Sequence, residues 1–151
     1  MGSQHYFKRL RKFFFLRLSM SKWWSSKLIR PTLVRMAGVK LGKNAHIGAN
    51  VSFDTLGIKP CYDIGDNVTI TMNCVLLIHG FKYVVGGNKR WYVGVLTIGD
   101  NVFIGAGSII VKPITIGSNV IIAAGSVVTK DIPDNSMVAG VPAKIIRKLE
   151  G

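Results

Sequence analysis

The chain has 151 residues, an apolar fraction of 48%, 17 glycines and a formal net charge of +13. This length and apolar content support one folded core and exclude a disordered chain. Its two cysteines, Cys61 and Cys74, exclude a disulfide scaffold and a cysteine-rich metal site.

The positive charge is concentrated at the N-terminus, where residues 1–40 hold ten of the twenty Lys and Arg residues and no acid. Residues 41–151 therefore carry only +3, from ten basic and seven acidic residues. We predict a basic, aromatic, helical arm over residues 1–40. Its longest unbroken apolar run, Phe13 to Leu16, is far shorter than the ~20 residues that span a bilayer.

Two interpretations of such an arm are equally consistent with its composition: membrane binding, and packing on a subunit or simple exposure to solvent. Basic helices with aromatic residues bind anionic membrane surfaces. A helix packed against a subunit, or an ordinary solvated basic face, has the same composition. No nucleic-acid-binding motif accompanies the charge, so we expect no nucleic-acid partner.

A six-residue repeat of aliphatic side chains dominates residues 41–133. Its unbroken part consists of Ile98, Ile104, Ile110, Ile116, Ile122 and Val128, and earlier runs begin at Leu41 and Ile64. A period of six matches neither a helix nor simple strand alternation. It predicts an all-β solenoid with three short strands per 18-residue coil, one aliphatic residue per hexad inside and glycine or asparagine at the corners. Cys74 falls at the small-residue position of its hexad, which predicts a buried thiol.

Two interruptions of the repeat are candidates for its working surface. Leu41 and Ile64 are 23 residues apart, one coil plus five, and the excess lies around Lys59–Cys61. Ile64 and Ile98 are 34 residues apart, one coil plus 16, which predicts an inserted loop at about 82–97. That loop carries side chains of the kind that bind sugars: Tyr83, Arg90, Trp91 and Tyr92. A solvated loop is the alternative interpretation.

His79 directly precedes the longer insertion, unlike His5 and His46. A histidine can remove a proton from an attacking hydroxyl or amine near neutral pH. A lone histidine on a strand often has a structural role, but the neighbouring insertion favours a general base.

The C-terminal segments 125–133 (GSVVTKDIP) and 138–147 (VAGVPAKIIR) resemble the acetyl-coenzyme A end of the hexapeptide-repeat acyltransferase family. The resemblance covers roughly residues 39–149. It is nearest to acetyltransferases of capsule and exopolysaccharide gene clusters and to the galactoside and maltose acetyltransferases. It implies a left-handed parallel β-helix over 41–133, a cofactor-side tail or short helix over 134–151, and a homotrimer with active sites between subunits.

The same resemblance implies roles for individual residues. His79 is the general base, and Asp54 orients its imidazole or binds an acceptor hydroxyl, with an Asx turn as the alternative. A backbone N–H near Gly105 and Ala106 stabilises the oxyanion. The remaining implied contacts to acetyl-CoA are Ala106, Ala124 and Thr129 along the pantetheine, Lys130, Lys144 and Arg147 at the phosphates, and Pro142 at a turn.

The resulting hypothesis is an acetyl-CoA-dependent O-acetyltransferase that acts on a sugar hydroxyl in capsular or exopolysaccharide biosynthesis. We expect it in the cytoplasm, peripheral to the inner face of the membrane if the arm binds lipid. An amino-sugar N-acetyltransferase and a non-catalytic solenoid remain as alternatives. A carbonic anhydrase of the same fold needs three histidine ligands, and the repeat contains only His46 and His79, so we expect no metal.

Overall fold

The computed structural model describes residues 2–20, 28–54, 61–83 and 89–150. Two helices, α1 (Gly2–Ser19) and α2 (Ile29–Met36), precede the repeat. The described residues then form these strands: β1 (Lys40–Leu41), β2 (His46–Ile47), β3 (Ser52–Phe53), β4 (Tyr62–Ile64), β5 (Thr69–Ile70), β6 (Val75–Leu76), β7 (His79–Tyr83), β8 (Lys89–Val93), β9 (Leu96–Ile98), β10 (Phe103–Ile104), β11 (Ile109–Ile110), β12 (Thr115–Ile116), β13 (Val120–Ile122), β14 (Val127–Val128), β15 (Ser136–Gly140) and β16 (Ala143–Lys148).

The repeat strands form three sheets, which are the faces of a solenoid. The first sheet contains β1, β4, β9 and β12; the second β2, β5, β10, β13, β15 and β16; the third β3, β6, β11 and β14. Consecutive repeat strands along the chain belong to the first, second and third sheet in turn. Strands of neighbouring coils pair in parallel, with equivalent hexad positions side by side, as Ile104 is with Ile70 and Ile122. The predicted solenoid repeat is therefore present.

The core is the interior of this solenoid. The six aliphatic residues from Ile98 to Val128 are all at most 1% exposed, as the period predicted. Cys74 is also fully buried, which confirms its predicted position. Burying one such aliphatic side chain contributes about 1.5–3 kcal/mol, so the stability of each coil depends on its inward stripe.

Asparagines build the first corner, between the first and second sheets. Each of five asparagines there has a φ between 53° and 56° and lies three residues after a buried aliphatic residue: Asn44, Asn67, Asn101, Asn119 and Asn135. Asparagine tolerates this left-handed backbone better than most residues. Their side-chain amides hydrogen-bond from coil to coil at 2.9–3.1 Å, which ties successive corners together.

Both interruptions fall at the third corner, between the third and first sheets. In the first, Lys59 and Pro60 lie outside the described residues, while Cys61 is buried in the core rather than carried in a loop. The second is an antiparallel hairpin of β7 and β8, closed at its base by the Gly94 N–H, which donates to the Ile78 carbonyl at 2.9 Å. The hairpin begins at His79, slightly earlier than the predicted loop.

The N-terminal helices cover the first coil. Leu16 of α1 is buried in the core, and the Asn50 N–H donates to the Met20 carbonyl at 3.2 Å. Arg30 of α2 is buried, and its Nη1 donates to the Ile47 carbonyl at 3.3 Å. In the described part of the chain, neither helix is long and apolar enough to cross a membrane.

The C-terminal tail is a β-hairpin, so the alternative of a short C-terminal helix is wrong. β15 pairs in parallel with β13, and β16 folds back antiparallel on β15. Because β15 continues the second sheet, the last coil has a pairing partner on that face instead of an open edge.

Candidate active site

A carboxylate and an imidazole meet at the third corner. Asp54 follows β3 in the first coil, and His79 opens the hairpin one coil later. The Asp54 Oδ2 contacts the His79 Nδ1 and also accepts the Ile78 N–H at 3.3 Å. The Asp54 side chain is 7% exposed and that of His79 is 23% exposed. Asp54 therefore orients the ring through Nδ1, which leaves Nε2 for another partner.

The hydroxyl of Tyr62 holds the backbone of Asp54 in place. This hydroxyl accepts the Asp54 N–H at 2.6 Å and can donate to the Leu76 carbonyl at 2.8 Å. Burial raises the pKa of the Tyr62 phenol, and the Asp54 charge acts in the same direction, so the hydroxyl keeps its proton. Sequence reasoning missed Tyr62, whose only signal was an aromatic residue at the point where the repeat resumes.

Lys12 of α1 brings a positive charge towards the same corner. It is half-buried, and burial lowers its pKa, while the charges of Cys61 and Asp54 act in the opposite direction. The arm thus contributes to the electrostatic environment of the pair. Nothing in the sequence linked residue 12 to residue 54.

The hairpin presents two different faces, because residues alternate along its strands. One face carries His79, Phe81 and Trp91; the Trp91 ring centroid lies 5.4 Å from that of His79, and Trp91 packs against Phe81. The other face carries Arg90 and Tyr92. The Tyr83 side chain lies outside the described part of the chain. Of the residues predicted together as a sugar-binding group, Trp91 therefore lies on a different surface from Arg90 and Tyr92.

A cleft of about 340 Å³ lies beside the C-terminal hairpin. Four of the predicted cofactor residues line it: Thr129, Lys130, Pro142 and Lys144. Apolar atoms of Val128, Ile132 and Val138 complete its wall. Two cations above an apolar wall suit a ligand that is part phosphate and part hydrocarbon.

A second cleft, of about 430 Å³, connects this region to the hairpin. It is lined by Tyr92, Lys112, Pro113 and Ile114 and shares Lys130 and Asp131 with the first. The two clefts follow the third corner, and Thr129 lies two coils, or about 10 Å, from the level of His79. Lys112 was not predicted, although its place at the third corner of the repeat was a usable signal.

The other predicted cofactor residues lie elsewhere in the same copy. Gly105, Ala106 and Ala124 stack at the second corner, where the Gly125 N–H donates to the Ala106 carbonyl at 2.8 Å. The Gly105 N–H is committed to the Ile122 carbonyl, so it is unavailable to an oxyanion. Arg147 pairs with Met137 in the terminal hairpin and lines neither cleft.

Across the described ranges, no three His, Cys, Asp or Glu side chains converge as they would around a metal ion.

Comparison with known proteins identifies a family model and several relatives that match this chain. The family model for the hexapeptide repeat of succinyl-transferase matches residues 33–54 and 95–130. Galactoside O-acetyltransferase of Escherichia coli is 43% identical over 113 residues, 72% of this chain and 56% of that enzyme. Protein CapG of Staphylococcus aureus is 40% identical over 121 residues, 78% of this chain and 70% of that protein. The chain thus spans little more than half of the galactoside enzyme's length.

Solved structures agree with these relatives. Galactoside acetyltransferase in complex with coenzyme A has a TM-score of 0.69 at 30% identity, covering 99% of this chain and 84% of that one. The solenoid, its terminal hairpin and these similarities together show that the chain belongs to the hexapeptide-repeat acyltransferase family.

Proposed function

We propose that the protein is an acetyl-CoA-dependent O-acetyltransferase that acts on a sugar hydroxyl. The observation that carries this proposal is the Asp54–His79 pair, which stands on the same corner as a basic and partly apolar groove. The similarity to a relative that is named as a galactoside O-acetyltransferase supports both the reaction and the substrate class.

In this proposal His79 moves the proton. Its Nε2 accepts the proton of the acceptor hydroxyl as that oxygen attacks the thioester carbonyl carbon. When the new C–O bond has formed and the C–S bond breaks, the ring returns the proton to the leaving sulfur of coenzyme A. The buried Asp54 carboxylate stabilises the imidazolium during this interval. Trp91 offers the acceptor sugar an apolar ring face beside the base.

Acetyl-CoA supplies an activated acetyl group and a thiol leaving group. The first cleft suits this co-substrate, because Lys130 and Lys144 can pair with phosphates and the apolar wall can hold a hydrocarbon arm. Of the two N–H groups at the Gly105–Ala106 corner, that of Ala106 is assigned to the carbonyl oxygen as negative charge develops there.

The assembly we propose is a homotrimer of left-handed coils, as implied by the family. The division of the cofactor residues between the second and third corners supports an active site shared by two copies. The acceptor is a polysaccharide repeat unit or its precursor in capsular or exopolysaccharide biosynthesis, in line with the resemblance of the sequence to acetyltransferases of capsule and exopolysaccharide gene clusters.

A His79→Ala variant tests the proposal, with His46→Ala as the control on β2. Transfer from labelled acetyl-CoA to a panel of sugars, including lipid-linked sugars, is measured. We expect kcat to fall about 10²–10⁴-fold in His79→Ala and to stay near wild type in His46→Ala.

Acetyl-CoA binding is measured in parallel by thermal stabilisation. At 100 times its Kd the ligand adds about 2.7 kcal/mol, and we expect this in the wild type and in His79→Ala. More than a tenth of kcat in His79→Ala would overturn the general-base role. No stabilisation of the wild type would instead support a non-catalytic solenoid.

A further inference from the structure

The described part of α1 has two contrasting faces. Phe15, Leu16 and Ser19 face the solenoid, and Leu16 is 4% exposed. On the opposite face, Leu10, Phe13 and Phe14 are 52%, 59% and 59% exposed. This spacing of three and four residues places the three side chains on one stripe of the helix. We call Leu10, Phe13 and Phe14 the outer face.

Positive charge surrounds the outer face. Arg11 and Arg17 are exposed beside it. The sequence of α1 also contains Lys8 and Arg9, and residues 1–40 contain no acid. Large apolar side chains flanked by arginines suit the boundary between lipid headgroups and acyl chains.

A second copy of the chain is a poor partner for this face. Each copy carries +13, so two such arms repel each other. Six of the seven acids already serve contacts within their own chain: Asp54 with His79, Asp63 with Lys40, and Asp66, Asp100, Asp131 and Asp134 with backbone N–H groups. The complementary negative charge must therefore come from another molecule.

We propose that the outer face of α1 docks on an anionic phospholipid surface, with Leu10, Phe13 and Phe14 inserted and Arg11 and Arg17 at the headgroups. A nucleic acid would satisfy the arginines, but its phosphates offer nothing to an exposed aliphatic side chain such as Leu10. A bilayer satisfies both features.

This orientation also places the candidate active site near the membrane. Lys12 lies on the inward side of α1, in electrostatic range of Asp54. At least the thickness of one helix, about 10–12 Å, then separates the lipid surface from the Asp54–His79 corner. An acceptor sugar attached to a lipid would be within reach. This consequence rests on the proposed function, but lipid docking itself does not.

The test is co-sedimentation of the full chain with vesicles, without acetyl-CoA or acceptor. Vesicles of phosphatidylcholine with 30% phosphatidylglycerol are compared with pure phosphatidylcholine. The variants are Phe13→Ser/Phe14→Ser and Arg11→Gln/Arg17→Gln. The matched control is Val141→Ser/Ile146→Ser, which changes two exposed apolar residues of the C-terminal hairpin, at the opposite end of the solenoid from the coil that α1 covers. Circular dichroism checks that each variant is folded, and light scattering gives its mass.

We expect binding to the anionic vesicles, a drop of at least about tenfold in both α1 variants, and wild-type binding in the control. Raising the salt from 0.1 M to 0.5 M should weaken binding, since it screens the arginines. Wild-type binding by Phe13→Ser/Phe14→Ser would overturn the proposal, as would no binding to anionic vesicles. A changed particle mass in that variant would assign the face to contacts between copies. Tighter binding to a single-stranded oligonucleotide than to vesicles would assign it to nucleic acid.

Discussion

At the scale of single residues, the environment of Asp54 decides between its alternative roles. Its carboxylate is buried, and the same oxygen serves both the His79 ring and the Ile78 N–H. An acceptor hydroxyl would have to compete with both. The geometry therefore favours a positioning role over direct acceptor binding, and the contact with His79 goes beyond a local Asx turn.

We predict that Asp54→Asn lowers kcat by at least about tenfold, because the amide cannot balance the imidazolium charge. The KM for the acceptor should change little, since the carboxylate orients the base rather than the sugar. Steady-state kinetics checks both values, with the exposed Asp63→Asn as control. A raised acceptor KM with normal kcat would show that Asp54 binds the acceptor.

A second prediction concerns Tyr62, whose hydroxyl joins the Asp54 N–H and the Leu76 carbonyl in the core. In Tyr62→Phe these two groups keep the hydrogen bond that they make with each other at 3.1 Å. We therefore expect the loss of the hydroxyl to lower the free energy of unfolding by about 0.5–1.5 kcal/mol. Because burial raises the pKa of the phenol, the unfolded chain loses this proton at a lower pH than the folded chain. The hydroxyl's contribution is therefore complete below about pH 10, the ordinary pKa of tyrosine, and declines above it.

Urea unfolding between pH 8 and pH 11.5 measures this contribution as the difference between wild type and Tyr62→Phe. The difference should be constant up to about pH 10 and then shrink. A difference that grows with pH would contradict the assignment. Tyr92→Phe, on the exposed face of the hairpin, serves as the comparison.

At the scale of structural elements, the corners explain the glycine content better than the strands do. Gly105 and Gly107 lie two residues apart at the same corner but are required for different reasons. A Cβ on Gly105 would lie 2.4 Å from the Ala124 nitrogen, in the backbone of the next coil. Gly107 has open space around it but a φ of 72°. One glycine allows coil stacking, and the other allows the turn.

We predict that Gly105→Ala is more destabilising than Gly107→Ala. The first forces a backbone–backbone clash between coils, for which overpacking costs of up to about 3 kcal/mol are typical. The second adds left-handed strain of only about 1 kcal/mol. Thermal melts of the two variants give the order. The reverse order would mean that coil separation adjusts more easily than corner conformation.

At the scale of the whole molecule, the predicted cofactor residues of one copy are divided between two corners of the solenoid. His79 and the Lys130–Lys144 cleft share the third corner, whereas Ala106 and Ala124 lie at the second. If the active site lies between copies, one copy supplies the third corner and its neighbour supplies the second.

Mixing two inactive variants tests this arrangement. His79→Ala disables the third corner, and Ala124→Trp fills the exposed second corner with a bulky ring. After co-refolding, trimers that contain both variants include some sites with two intact sides, so we expect acetyl transfer to reappear. Light scattering should give three times the chain mass of 16.5 kDa. A mixture that stays inactive would place the whole site within one copy.

Much of this molecule follows from local sequence. The period-six pattern determined the solenoid, its aliphatic core and the burial of Cys74, since each hexad repeats the same inward position and corner. The interruptions of that pattern marked the corner at which His79 lies. These features depend on spacing along the chain, which the sequence states directly.

Other features depended on which segments meet in space. Only the tertiary structure decided that Asp54 contacts His79, that Tyr62 supports Asp54, and that Lys12 of the arm approaches them. It also divided the predicted sugar-binding residues between two hairpin faces and folded the C-terminal tail as strands. Those contacts join residues from different coils and helices, and their geometry depends on the packing of the corner and the register of the hairpin.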